Sequence, residues 1–166
     1  RDRSPSRGLG DVYKRQFYSC GGKSANDVVR FLNERYGMHM DAASTAADKR
    51  RIYLEMLEKE GMQPIREVVE FVHSLGDAPK AIATGSAMPG ASRTLAAAGL
   101  SGLFDVILTP DEVEHGKPAP DMFLKAAELL GVSPDRCVVF EDAEPGMKAA
   151  AAAGMDCVQV RRPSLA

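Results

Sequence analysis

Three short stretches of this chain carry side chains whose types and spacing could do chemistry on an anion. In AIATGSA, Thr84, Gly85 and Ser86 follow an apolar run. A hydroxyl beside closely spaced backbone N–H groups suits a phosphate, because glycine lets the backbone approach and each N–H aims a partial positive charge at the oxygens. In HGKPAPDMF, Lys117 sits between Gly116 and Pro118. A lysine stiffened by an X-Pro segment can set a point charge beside a phosphoryl group and offset its repulsion of an anionic nucleophile. In CVVFEDAEPG an apolar run ends in two adjacent carboxylates, Glu141 and Asp142. Such hard oxygen donors suit Mg²⁺, which takes one or two carboxylates and leaves its other positions to water and phosphate.

Each stretch taken alone has a plainer reading. TGS also fits a polar turn after a buried strand, and Lys117 fits a solvated loop lysine. Glu141 and Asp142 fit a helix start, with Asp142 as cap and Glu144 favouring the helix dipole. Asp121 reads as structural, an acidic residue in a first helical turn. Together, a cradle, a pinned lysine and a carboxylate pair would make one site for metal-assisted phosphoryl transfer, provided the fold brings them together.

The elements that would do so are visible as periodicity. SAND at 24–27 is a Ser-x-x-Asp capping pattern, followed by Val28, Leu32 and Tyr36 and closed by Gly37. A second helix spans 42–60, with Ile52, Met56 and Leu57 on one side, an expected Glu55–Lys59 pair, and Gly61 as its stop. A third opens at Pro64 with a stripe of Ile65, Val68, Val69, Val72 and Leu75. Strands at 80–84, 106–108, 137–140 and 157–160 then alternate with helices near 92–98, 120–130 and 145–153. Short apolar strands between helices predict a doubly wound α/β unit with a parallel sheet and its chemistry at the carboxyl ends of the strands. Thr84, Thr109 and Glu141–Asp142 all fall there.

Composition narrows the class. The 166 residues are 45% hydrophobic and 27% charged, near the globular average, which argues against disordered, collagenous or coiled-coil chains. The net charge of −2 divides unevenly. Residues 1–16 carry five Lys and Arg against Asp2 and Asp11, hence +3, and the remainder carries −5. That end lacks a recognition-helix pattern and interleaved aromatics, so nucleic acid is not expected as a partner. Cys20, Cys137 and Cys157 form no metal-thiolate pattern and read as small apolar residues in a reducing, cytoplasmic setting; His39, His73 and His115 read as ordinary surface or packing residues. No apolar run approaches the roughly 18 residues of a membrane span, so no membrane partner is expected either. Residues 1–16 have no period and read as a non-native or disordered leader; residues 17–61 read as a small helical unit and 62–166 as the α/β core.

TGS at Thr84, GKPAPDMF at Lys117 and VVFEDAEPG at Glu141 resemble, in order and spacing, the second, third and fourth motifs of the haloacid dehalogenase-like phosphatases. GLFDVILTPDEVEHGKPAPDMF is similar to the branch with β-phosphoglucomutase and small sugar-phosphate phosphatases, and 17–61 resembles that branch's helical cap. The resemblance implies a cap closing over a small phosphorylated metabolite, which a family aspartate attacks to give an aspartyl-phosphate. It implies that Thr84, Gly85 and Ser86 hold the phosphoryl group, that Lys117 balances charge, and that Asp142 with Glu141 holds Mg²⁺. A monomer is expected.

The chain departs from the family at one point. It holds no Asp-x-Asp pair, the motif in which the family carries its nucleophile and acid–base aspartates on the first core strand. That strand lies mid-sheet in the family, so the core is expected to lack it, to leave two strand edges unpaired, and to be inactive and prone to aggregation as written. In the cap, Ala25 stands where mutase relatives place an arginine, with Lys23 and Ser24 as the nearby polar candidates for substrate contact. This favours hydrolysis of a monophosphate, and Gly21–Gly22 resembles the fructose-1-phosphate and phosphogluconate type. A sugar-phosphate mutase and a non-catalytic phosphate-binding module are the alternatives.

Overall fold

The computed structural model describes residues 20, 23–62 and 64–160, and the segment read as a leader lies outside them. Among the described residues two helices come first, α1 (Ala25–Tyr36) and α2 (Ala42–Glu60), packed against each other. Ser24 caps α1 as the SAND pattern predicts, its hydroxyl accepting from the Asp27 amide at 3.1 Å. Gly37 ends the helix in the left-handed conformation, at φ 63°, where a side chain would be strained. Asp41 caps α2 by accepting from the Ser44 amide at 2.7 Å, and that bond holds its carboxyl below the ordinary value. The Asn33 amide clamps the link between the helices, donating to Met40 O at 2.8 Å and accepting from Met40 N at 3.0 Å. The expected Glu55–Lys59 pair is replaced. Glu55 accepts from Arg51, the i−4 residue, at 3.0 Å.

Helix α3 (Arg66–Ser74) leads into β1 (Ala81–Ala83), then α4 (Met88–Ala97), β2 (Val106–Leu108), α5 (Asp121–Leu130), β3 (Val138–Glu141), α6 (Glu144–Ala152) and β4 (Asp156–Gln159). All four expected strands form, with ends shifted by a residue. Helix α4 begins four residues before the expected Ser92, because Pro89 falls in the first turn, where a missing N–H costs nothing. The order is the alternation that the sequence implies, and every strand pair is parallel.

The sheet, however, is not continuous. Among the described residues, β1 pairs with β2, Ala81 opposite Val106, and β3 pairs with β4, Val138 opposite Asp156. Helix α5 packs on both strands of the first pair and touches α6, which packs on the second. Its buried residues divide accordingly. Met122 and Ala126 join Leu108, whereas Phe123 and Ala127 join Val139, Ala149, Ala150 and Met155. Alanine at 149 and 150, both with no exposed surface, lets α6 lie close to the strands. The second face of β3–β4 is less covered than a doubly wound core implies. Val138 and Phe140 are 53% and 47% exposed, although Phe71 of α3 tilts against Phe140 at 4.9 Å. Ile52 and Met56 of α2 are about half exposed as well. Among the described residues no helix is long and apolar enough to cross a membrane.

One backbone position fixes how α6 meets β3. Gly146 is buried in the first turn of α6, and a Cβ there would overlap Cγ, Cδ and Oε2 of Glu141 at the end of β3. Glycine-to-alanine inside a helix ordinarily stabilises by roughly 0.5–1 kcal/mol. At 146 the overlap reverses the sign. Gly146→Ala is expected to lower unfolding stability by about 1–3 kcal/mol in urea titration, the usual cost of overpacking. A variant at least as stable as the parent rejects this packing.

Candidate active site

The segment between β2 and α5 carries the pinned lysine and is itself held at both ends. Thr109, 1% exposed, donates its hydroxyl and its amide to Glu112 Oε2, each at 2.6 Å, which closes a 3₁₀ turn over Pro110–Glu112. At the other end Asp121 Oδ2 accepts from the His115 amide at 3.1 Å and lies 3.2 Å from its Nδ1. Asp121 thus does more than complement a helix dipole: it fixes the loop two residues ahead of Lys117. The Lys117–Pro118 peptide is cis.

From this loop the Lys117 side chain turns inward. It is not a solvated loop lysine: its side chain is 4% exposed. The ammonium donates to Glu141 Oε2 at 2.7 Å and to the Ala83 carbonyl at 3.1 Å, and it stands 4.7 Å from the ring centroid of Phe123. Glu141, 10% exposed, also accepts from the Ala143 amide through Oε1 at 3.1 Å. One ammonium therefore links the carboxyl ends of β1 and β3. A buried pair is costly to desolvate, and it persists here because each partner has a further hydrogen bond.

Thr84 follows Ala83 at the end of β1, where its amide donates to Leu108 O at 2.9 Å. Its Oγ1 accepts from the Ser86 amide at 3.1 Å. The turn expected as a phosphate cradle is thus shaped by its own threonine. Asp142, half-buried, comes directly after Glu141. It does not cap α6, whose N-cap is Ala143, and Glu144 pairs with Lys148 at 2.7 Å. Among the described residues no group of three or more His, Cys, Asp or Glu could hold a metal ion. The donors at the end of β3 are the two carboxylates, whose chemistry fits Mg²⁺ if water and substrate oxygens fill the remaining positions.

A cleft of about 310 Å³ runs between the helical unit and the core; Lys117, Glu141 and Asp142 are not among its lining residues, and the turn after β1 is what it shares with the site. Ser24, Ala25 and Asn26 line it from the start of α1, and Gly85 and Ser86 from the turn after β1. Pro110 and Asp111 line it from the 3₁₀ turn. Ala46, Lys49, Arg50 and Tyr53 line it from α2, and Ala87 and Gly90 from the start of α4. Tyr53 lies 2.6 Å, Oη to Oγ1, from Thr94 of α4, and Arg93 pairs with Glu58 at 3.2 Å. These contacts hold α2 over α4. Of the expected cap contacts, Ser24 reaches the cleft, whereas Lys23 lies over the Phe31 ring at 4.5 Å and is not among the lining residues.

Sequence reasoning missed Asn26, Lys49, Arg50, Tyr53 and Asp111. The 46, 49, 50, 53 spacing does put one helical face together, but nothing in the sequence says what that face meets. Phe123 was also missed; its place under Lys117 depends on a fold of the intervening loop. Cys137 packs on the core with its thiol pushed up by burial and the Asp135 charge, as a small apolar residue would sit. Cys157 is exposed instead. His39, His73 and His115 are at the surface.

Comparison with known proteins follows the same lines. A family profile for haloacid dehalogenase-like hydrolases matches residues 11–154, a match that begins inside the 1–16 segment. The chain is 50% identical over 98 residues to the fructose-1-phosphate phosphatase of Escherichia coli K12, a region that is 59% of this chain and 51% of that protein. It thus spans about half the length of that relative. It is 32% identical to the hexitol phosphatase A of the same organism over 86% of this chain and 71% of the relative. A hydrolase structure from Pseudomonas syringae superposes with a TM-score of 0.76 at 28% identity, over 87% of this chain and 67% of that one. The profile match and the 71% coverage of a relative above 30% identity place the chain among the haloacid dehalogenase-like hydrolases.

Proposed function

We propose that this chain carries the helical cap and most of the core of a phosphatase acting on a small phosphorylated sugar or polyol. The observation that carries the reading is the buried Lys117 ammonium, fixed between the ends of β1 and β3 beside the Glu141–Asp142 pair. A cation held dry at that point is worth more to a phosphoryl group than one in water, and it needs no reorganisation when the charge arrives.

In this reading Thr84 and the amides of Gly85 and Ser86 receive the phosphoryl oxygens, which requires the Ser86 amide to exchange Thr84 Oγ1 for substrate. Lys117 offsets the charge between substrate and attacking carboxylate. Asp142, with Glu141 beside it, would hold Mg²⁺, which when bound neutralises phosphoryl oxygens. The sugar or polyol end occupies the cleft, whose volume and mixed polar lining suit a small polyhydroxylated metabolite. The names of the two Escherichia coli relatives support that substrate class. Ala25 lines the cleft where mutase relatives place an arginine, which favours hydrolysis over transfer between two sugar positions.

A non-catalytic phosphate-binding module is the second reading. The purified 166-residue chain is expected to show no Mg²⁺-dependent hydrolysis of hexose or hexitol phosphates in a phosphate-release assay; measurable turnover overturns that expectation. Reading the coding DNA upstream of Phe17 separates the alternatives: an in-frame apolar strand ending in Asp-x-Asp favours the enzyme, and a start codon there favours the module. In a chain extended by that strand, Asp142→Asn is expected to reduce turnover about 100-fold and to raise the Mg²⁺ requirement, as loss of a metal-site carboxylate does. Unchanged turnover removes Asp142 from the metal site.

A further inference from the structure

We propose that Phe123 is the positioning residue of Lys117, holding the ammonium where one N–H remains directed to an anionic oxygen of the substrate. The inference rests on the phosphatase reading above for the identity of that oxygen, and on geometry alone for the position of the ammonium. A lysine ammonium has three N–H donors. Among the described residues two are used, one by Ala83 O and one by Glu141 Oε2. Those partners lie on different strands, and the Glu141 charge is the stronger attractor. The ammonium is bonded to Glu141 Oε2 at 2.7 Å and to Ala83 O at 3.1 Å, and those two bonds alone leave it free to pivot about them. The Phe123 ring restrains that pivot. It is 7% exposed, wedged into the core between α5 and β3, and offers its π electrons to the ammonium at 4.7 Å. A cation over a ring face in a desolvated site is held electrostatically as well as sterically. Phe123 is placed for this by the start of α5, where its amide donates to Pro120 O at 3.0 Å, just after the Lys117–Pro118 segment.

Leucine at 123 would fill much of the same core space but offers no ring face, and tyrosine keeps both. The test uses the 166-residue chain with ¹³C-labelled lysine, the Lys117 Cε–Hε signal being assigned by its loss in Lys117→Arg. In the parent and in Phe123→Tyr that signal is expected upfield of the other lysines, displaced by the ring; in Phe123→Leu it joins them. Titration with inorganic phosphate is expected to move the signal in the parent and in Phe123→Tyr with similar affinity, and to require about tenfold more phosphate in Phe123→Leu. A parent signal with no upfield displacement overturns the proposal, as does a Phe123→Leu variant that is folded by its amide spectrum and binds phosphate as well as the parent. An upfield parent signal that phosphate does not move leaves the ammonium where we place it and instead rejects Lys117 as a phosphate contact.

Discussion

The buried pair between Lys117 and Glu141 is the interaction on which the rest of this structure depends. It spans the carboxyl ends of β1 and β3, which share no backbone ladder among the described residues. An ion pair this dry is not a source of stability in itself, because desolvating two charges consumes much of their attraction. Its force is conditional. Removing either partner would strand the other charge in the core at a cost of about 3–5 kcal/mol. The surrounding structure is consistent with that constraint. Gly146 leaves space for the Glu141 side chain, the Ala143 amide occupies its second oxygen, and Asp121 and Glu112 hold the two ends of the loop that delivers Lys117.

Around that link the core is divided rather than single. Helix α5 serves both strand pairs, turning Met122 and Ala126 to one and Phe123 and Ala127 to the other. Adjacent residues on a helix lie about 100° apart, so a helix wedged between two layers presents different residues to each. This arrangement puts the ring that meets Lys117 in the core and in the site at once. One face of β3–β4 stays partly open: α6 packs on these strands, and on the open face Phe71 of α3 meets Phe140.

Much of the site was legible before any fold was known. Thr84, Lys117, Glu141 and Asp142 stand out because each lies at a strand end or ahead of a helix with a side chain whose chemistry suits phosphate or Mg²⁺. What was not legible was their relation. Lys117 and Glu141 were read as separate contributors to substrate and metal, and they are hydrogen-bonded to each other. Lys23 stands out in the sequence only because it lies near Ala25, where mutase relatives place an arginine, yet it stacks on Phe31, while Lys49 and Arg50 of α2, which no motif marks, line the cleft. The Glu55–Lys59 pairing failed for a simpler reason: the same carboxylate lies equally four residues from Arg51, and sequence spacing does not choose between them.

By itself, the sequence determined the local matters: where helices start and stop, which runs are strands, and that the strands alternate with helices in a parallel arrangement. These follow from periodicity, caps and turn residues, whose physics acts over a few neighbours in the chain. Only the tertiary structure decided that Lys117 is buried, that Phe123 lies beneath it, that Glu141 is its counter-charge, and that the lining of the cleft comes from α1, α2, the start of α4 and the turns after β1 and β2 together. The partners in those contacts are separated by up to tens of residues. What joins them is the packing of α5 and α6 against two strand pairs, a burial constraint that no short window of sequence contains.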